Sequence, residues 1–124
     1  MTVENSVDTE RSVANIIEHI MEKKGEDIVV IDLRGVTGVA DFFVIATGAS
    51  NVQVKAITDE IHVKLKKEDG SIPLNIEGYQ SLRWVLLDYV DVVVHVFDRE
   101  TRNYYSLETL WKDARIRRVE TDYE

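Results

Sequence analysis

The chain predicts an α+β fold, a mixed five-stranded sheet carrying two main helices and a short C-terminal helix. Three observations lead there. Apolar residues recur at helical spacing in two long segments, short Val/Ile/Phe-rich runs separate them, and turn-forming residues punctuate the boundaries. The predicted order is helix, two strands, helix, three strands, helix.

In the first helix Val13, Ile16, Ile17, Ile20 and Met21 fall on one face. Asp8 or Thr9 suits its N-cap, Lys23 and Lys24 suit the negative end of its dipole, and Gly25 stops it. Residues 1–9 read as a flexible leader, 10–113 as the folded domain and 114–124 as a charged tail. A strand over 28–33 and a loop carrying Gly35 and Gly38 lead to a second strand over 42–47. Gly48-Ala49-Ser50-Asn51 opens the second helix, with Ser50 or Asn51 as cap and Val54, Ile57, Ile61 and Leu65 as its buried stripe, ending near Asp69-Gly70. Pro73 excludes a helix interior, so 74–76 reads as a short edge strand before the Glu77-Gly78 bend. Runs over 82–87 and 92–97, joined by Asp88-Tyr89-Val90-Asp91, form an antiparallel hairpin, and a last short helix spans about 104–113.

A length of 124 residues fits one domain with one core. Without cysteine there are no disulfides or thiolate metal sites. The acidic start MTVENSVDTE has neither an apolar signal core nor an Arg-rich transit pattern, and no apolar run approaches the roughly 20 residues that span a bilayer. A cytoplasmic protein is expected. The formal net charge of −8 repels phosphate backbones and attracts basic surfaces, so direct binding of duplex DNA or of RNA is not expected. The one basic cluster, Lys112 with Arg115, Arg117 and Arg118, is followed by Glu120, Asp122 and Glu124 and reads as a solvated tail of mixed charge.

The strand runs 28–31, 42–45 and 92–94 are continuously apolar, so both faces of the sheet call for cover. Two long helices and one short one close one face well and the other only in part. The apolar surface left over favours a binding protein.

No catalytic set stands out. His95 beside Asp88 and Asp91 can be drawn as an acid-base pair but reads better as a partly buried histidine bonded to a neighbour. His19 and His62 lie on separate helices among charged residues, neither is expected to have a second ligand at i+3 or i+4, and metal binding has little support. Asp32 and Asp41 flank a loop, where bonding loop amides is the plainer role than holding a cation. Thr47-Gly48-Ala49-Ser50 enters a helix as a cap and falls short of a phosphate loop. The element order resembles nucleotidyltransferase domains, yet the strands lack the closely spaced carboxylates that hold two metal ions. A metal-dependent nucleotidyltransferase using Asp32, Asp41 and His95 is the alternative reading.

The blocks Trp84-x3-Asp88, Asp91-Val92-Val93-Val94-His95 and Arg102-x-Tyr104-Tyr105-x-Leu107-Glu108-x-Leu110-Trp111 resemble the ribosomal silencing factor, or Iojap, family. Upstream, Asp32-x2-Gly35, Ala40-Asp41-Phe42-Phe43-Val44-Ile45-Ala46-Thr47-Gly48-x-Ser50 and Glu77-Gly78 extend the likeness to nearly the whole chain. Family members usually carry Gly where this chain has Val90, and a β-branched residue resists the positive φ of a tight turn, so a different or longer turn is expected.

The resemblance implies a non-enzymatic translation regulator without cofactor or metal. Such a factor docks on the large ribosomal subunit at its protein fourteen and sterically blocks the small subunit. The family's binding surface includes the Trp of this block, which implies Trp84, Leu86, Asp88 and Tyr89 at the contact with Arg83 and Tyr79 at its rim. Homodimerisation through the same or an adjacent sheet surface is implied as well. Trp111, Tyr104 and Tyr105 are expected to fix the last helix on the sheet.

Overall fold

The computed structural model describes residues 2–124, with side chains from Asp8 onward. Its elements are α1 (Thr2–Glu22), β1 (Glu26–Asp32), β2 (Phe42–Gly48), α2 (Asn51–Asp69), β3 (Asn75–Glu77), β4 (Trp84–Asp88), β5 (Val92–Asp98), α3 (Arg99–Tyr105), α4 (Leu107–Leu110) and β6 (Arg115–Arg118). The six strands form one mixed sheet in the order β3-β4-β5-β2-β1-β6, with β2 and β5 parallel and every other pair antiparallel.

The α+β class holds, with one strand more than expected. Residues 115–118, read as part of a charged tail, pair with β1 because the outer edge of β1 otherwise leaves its backbone unpaired. Ile116 stands beside Ile31, and Val119 N–H donates to the Ile28 carbonyl at 2.9 Å. Arginines on either side of Ile116 hid this strand from an apolar-pattern reading.

α1 begins at Thr2, so Asp8 and Thr9 lie inside it rather than capping it. No Gly or Pro interrupts the sequence before Gly25, so nothing local starts the helix at residue 10. α2 matches expectation. The Ser50 hydroxyl accepts from Gln53 N–H at 3.2 Å, and Gly70 closes the helix with φ 68°. The Gln53 amide also donates to the Lys23 and Lys24 carbonyls at 3.0 and 2.9 Å, tying the start of α2 to the end of α1. The single last helix is instead two pieces. Asp98 caps α3 through Thr101 N–H at 2.8 Å, and Ser106, at φ 45°, breaks the chain before α4.

α1 and α2 close one sheet face. Val13, Ile16, Ile20, Val54, Ile57, Ile61 and Leu65 pack on inward residues that include Val30, Val44, Val85, Val94 and Val96. On the opposite face Val29, Ile31, Phe43, Ile45, Val93 and Phe97 are covered by Leu107, Trp84, Leu86, Trp111 and Ala114.

The β4–β5 turn departs from the expectation that Val90 would avoid a positive φ. Val90 sits at φ 75°, with Asp91 N–H donating to the Tyr89 carbonyl at 2.9 Å, a three-residue γ-turn. The Asp88 carboxylate accepts from Val90 N–H at 2.8 Å and holds this conformation in place. A positive φ on a β-branched residue stores about 1–3 kcal/mol. Val90→Gly should therefore raise stability by about 1 kcal/mol, net of the entropy that glycine adds to the unfolded chain, read as a higher urea midpoint at unchanged slope. Gly78 is the converse. It holds φ 80°, and a Cβ there would strike the Trp84 carbonyl, so Gly78→Ala should cost at least about 2 kcal/mol in the same measurement.

Candidate functional site: the aromatic face of the sheet

Strand alternation places Trp84, Leu86 and Asp88 on the face away from α1 and α2, opposite Phe97, His95 and Val93 of β5. The Trp84 indole stacks on Phe97 with ring centroids 4.9 Å apart and meets Tyr105 at 4.8 Å. Its Nε1–H donates to His95 Nδ1 at 3.0 Å. Phe43 meets the His95 ring edge-on at 4.6 Å and the Trp111 ring at 6.0 Å. One linked aromatic cluster therefore runs across β4, β5 and β2 to α3 and the end of α4. Trp84 and Trp111 are half-buried, while Tyr104, Tyr105, Leu110 and Ile116 stay exposed around them.

The lower cover on this face is anchored by a buried cation. Arg102 donates to the Thr47 hydroxyl at 2.7 Å and to the Glu108 carboxylate at 3.0 Å, and both Arg102 and Thr47 are buried. Burial alone would raise the Glu108 carboxyl, but the Arg102 hydrogen bond and charge outweigh it and hold it below its ordinary value. A buried guanidinium without such partners is costly, so this pair fixes where α3 and α4 sit.

His95 is the partnered core histidine anticipated from sequence. Accepting at Nδ1 from an indole N–H requires the neutral ring, and burial lowers its pKa from 6.5 to about 4. It pairs across the strands with Leu86, while Asp88 lies opposite Val93, so no Asp-His acid-base pair forms there. Asp32 faces the helical side, bound to Arg34 by contacts of 3.0 and 2.8 Å and to Arg34 N–H at 3.1 Å. With Asp32 and His95 on opposite faces, the set required by the nucleotidyltransferase alternative is not assembled.

The six residues singled out for binding divide between the two faces. Trp84, Leu86 and Asp88 share the aromatic face, and Arg83 is exposed at the entry to β4. Tyr89 packs under the helices, where burial pushes its phenol up to about 12. Tyr79 donates to Asp59 of α2 at 2.8 Å, with Lys55 5.7 Å from its ring centre. Both tyrosines neighbour Trp84 in sequence, but the reversal of side at each strand residue and at the turn separates them in space. Trp111 fixes the end of α4 on Phe43, as expected, whereas Tyr104 is exposed and Tyr105 covers Trp84. The role of Tyr105 was not legible from spacing alone, because α3 starts earlier than the pattern indicated.

Among the described residues, His19, Glu22 and Glu60 place one donor atom each within 4.8 Å of one another. Contrary to expectation, His19 does have a carboxylate at i+3, Glu22. Their charges are already answered. His19 donates from Nδ1 to Glu22 at 2.8 Å and from Nε2 to Glu68 at 2.9 Å, while Lys23 and Lys64 lie 3.9 and 3.7 Å from Glu60. The cluster pins α1 to α2.

The two buried histidines give stability opposite pH dependences. Burial lowers the His19 pKa, but the hydrogen bonds to Glu22 and Glu68 outweigh it and the net shift is upward. Its contribution is complete below 6.5 and is lost as pH rises through the raised value. His95 is depressed, so its contribution is complete above 6.5 and is lost as pH falls toward about 4. The His95 shift corresponds to about 3 kcal/mol lost across that window. Urea unfolding of wild type and His95→Gln from pH 7 to pH 4 should show a markedly shallower acid decline in the variant; equal declines would contradict the assignment.

The family model described as ribosomal silencing factor during starvation matches residues 6–124. A ribosomal silencing factor RsfS of Halalkalibacterium halodurans is 45% identical over 98 residues, 79% of this chain and 83% of that protein. That of Bacillus subtilis is 47% identical over 93 residues, 75% of this chain and 78% of its own length. A crystal structure of a Chromobacterium violaceum protein superposes with a TM-score of 0.77 at 36% identity, covering 92% of this chain and 95% of that one. With its domain matched almost from end to end, the chain belongs to the ribosomal silencing factor family.

Proposed function

We propose that this protein is a non-enzymatic regulator of translation that docks on the large ribosomal subunit at its protein fourteen and blocks joining of the small subunit by occupying the space it needs. The observation that carries the reading is the aromatic face, where Trp84, Leu86 and Trp111 remain half-buried beside exposed Tyr105, Leu110 and Ile116. Half-buried indoles held rigidly in a stacked cluster lose little entropy on binding and dominate interface energetics. The large subunit as target is supported by the family and by a mouse relative, 28% identical over 101 residues, named mitochondrial assembly of ribosomal large subunit protein 1.

The contact comprises Trp84, Leu86 and Asp88, with Arg83 at its rim and Tyr105 against Trp84. Tyr79 and Tyr89, held on the helical side, do not share that surface. A net charge of −8 speeds encounter with basic ribosomal protein. Without a ribosome, a second copy of the chain shelters the same face in a homodimer. The work is done in the cytoplasm and needs no cofactor.

Co-sedimentation with isolated large subunits tests this. Leu86→Asp and Trp84→Ala, each shown by circular dichroism to be folded, should bind at least about tenfold more weakly than wild type. Wild-type protein that stays in the supernatant would overturn the reading.

A further inference from the structure

We infer that β6 is a second contact, an arginine edge that grips the phosphate backbone of ribosomal RNA beside the docked protein. The inference rests on the docking proposed above. Every residue of β6 is exposed, and among the described residues the strand pairs only with β1, at the edge of the sheet. Arg115, Arg117 and Arg118 form no ion pair among the described residues.

The nearby acids are already committed. Asp32 and Glu10, which line the same groove as Arg115 and Arg117, hold Arg34 at 2.8 and 3.2 Å. Glu108, whose charge interacts with Arg118, holds Arg102 at 3.0 Å.

The acidic residues that follow these arginines in sequence are drawn elsewhere. Tyr123 donates to the Gly25 carbonyl at 2.6 Å, and Glu124 accepts from Asp27 N–H at 3.1 Å, beside the start of β1. The result is a localised cationic edge on a chain of net charge −8.

A basic ribosomal protein repels such an edge, and the abundant anion on the same particle is RNA phosphate, which guanidinium groups meet with paired hydrogen bonds. The distances are compatible with one footprint. β6 lies four strand spacings from β4 in the sheet order, about 19 Å, and a standard interface of about 800 Å² per partner is about 28 Å across. Ile116 and Arg118 share the face of Trp84, while Arg115 and Arg117 stand at the same edge on the helical face, beside Glu10 and Val13, so the edge carries cations on both of its faces.

The experiment compares wild type, Arg118→Gln and the triple variant Arg115→Gln/Arg117→Gln/Arg118→Gln. Each is titrated against whole large subunits and against isolated protein fourteen over a range of KCl concentrations. Each phosphate contact contributes about 0.7–0.9 to the slope of log affinity against log salt. The triple variant should lose about 2 units of slope and at least tenfold in affinity for the subunit, the single variant about one third of that slope, and both should bind isolated protein fourteen as wild type does. Equal slopes for wild type and triple variant on the subunit would overturn the RNA contact and leave the docking intact. Equal loss on isolated protein fourteen would also overturn it, since the arginines would then act on protein or on folding. No binding of wild type to either target would sink the docking itself, and the RNA contact with it.

Discussion

The structure depends on the parallel pairing of β2 with β5. Both strands are buried along almost their whole length, on both faces, and their register aligns Phe43, Ile45 and Thr47 with Val93, His95 and Phe97. A strand pair of that kind is stable only if something covers each side. α1 and α2 supply one cover from near the amino end, and the remaining elements have to supply the other.

The second cover is made of different material. In place of a long amphipathic helix it uses two short ones, a buried Arg102 held by Thr47 and Glu108, and a chain of rings from Tyr105 through Trp84 and His95 to Phe43 and Trp111. Aromatic rings fill the space above the sheet with few atoms, and their outer edges remain solvent-facing. The elements that complete the core on this side are thus the ones that leave aromatic and apolar side chains facing solvent. The indole to imidazole hydrogen bond sits at the junction. It orients Trp84 and requires His95 to stay neutral, so the shape of the face and its tolerance of acid have one cause.

Much of this was legible in the sequence. Helical stripes, the Ser50 cap and Gly70 stop, and the continuous apolar runs located α2 and the central strands. The incomplete cover expected on one face is largely made good by α3, α4 and the rings, with Val29, Ile31, Ile45 and Phe97 fully buried there. The illegible parts have physical reasons. β6 is specified by an unpaired backbone edge on β1 and by one isoleucine among arginines, a tertiary signal with no local pattern. Val90 at positive φ is stabilised by the Asp88 carboxylate and the closed hairpin, so the environment overrides the preference of a β-branched residue. Tyr79 and Tyr89, placed with Trp84 by the family resemblance, lie on the helical side, because sheet geometry assigns sides by parity and turn shape. The extent of α3 depended on Asp98 acting as a cap, a role its position at the end of a strand concealed.

The proposed docking sets the aromatic face, and not the helical one, against the ribosome. Hydroxyl-radical footprinting of the free protein and of the protein bound to large subunits tests it most directly. The account predicts that Trp84, Tyr105 and Trp111 become protected on binding while Tyr79 and the outer face of α2 keep their reactivity. Protection of Tyr79 and α2 with Trp84 unchanged would contradict it.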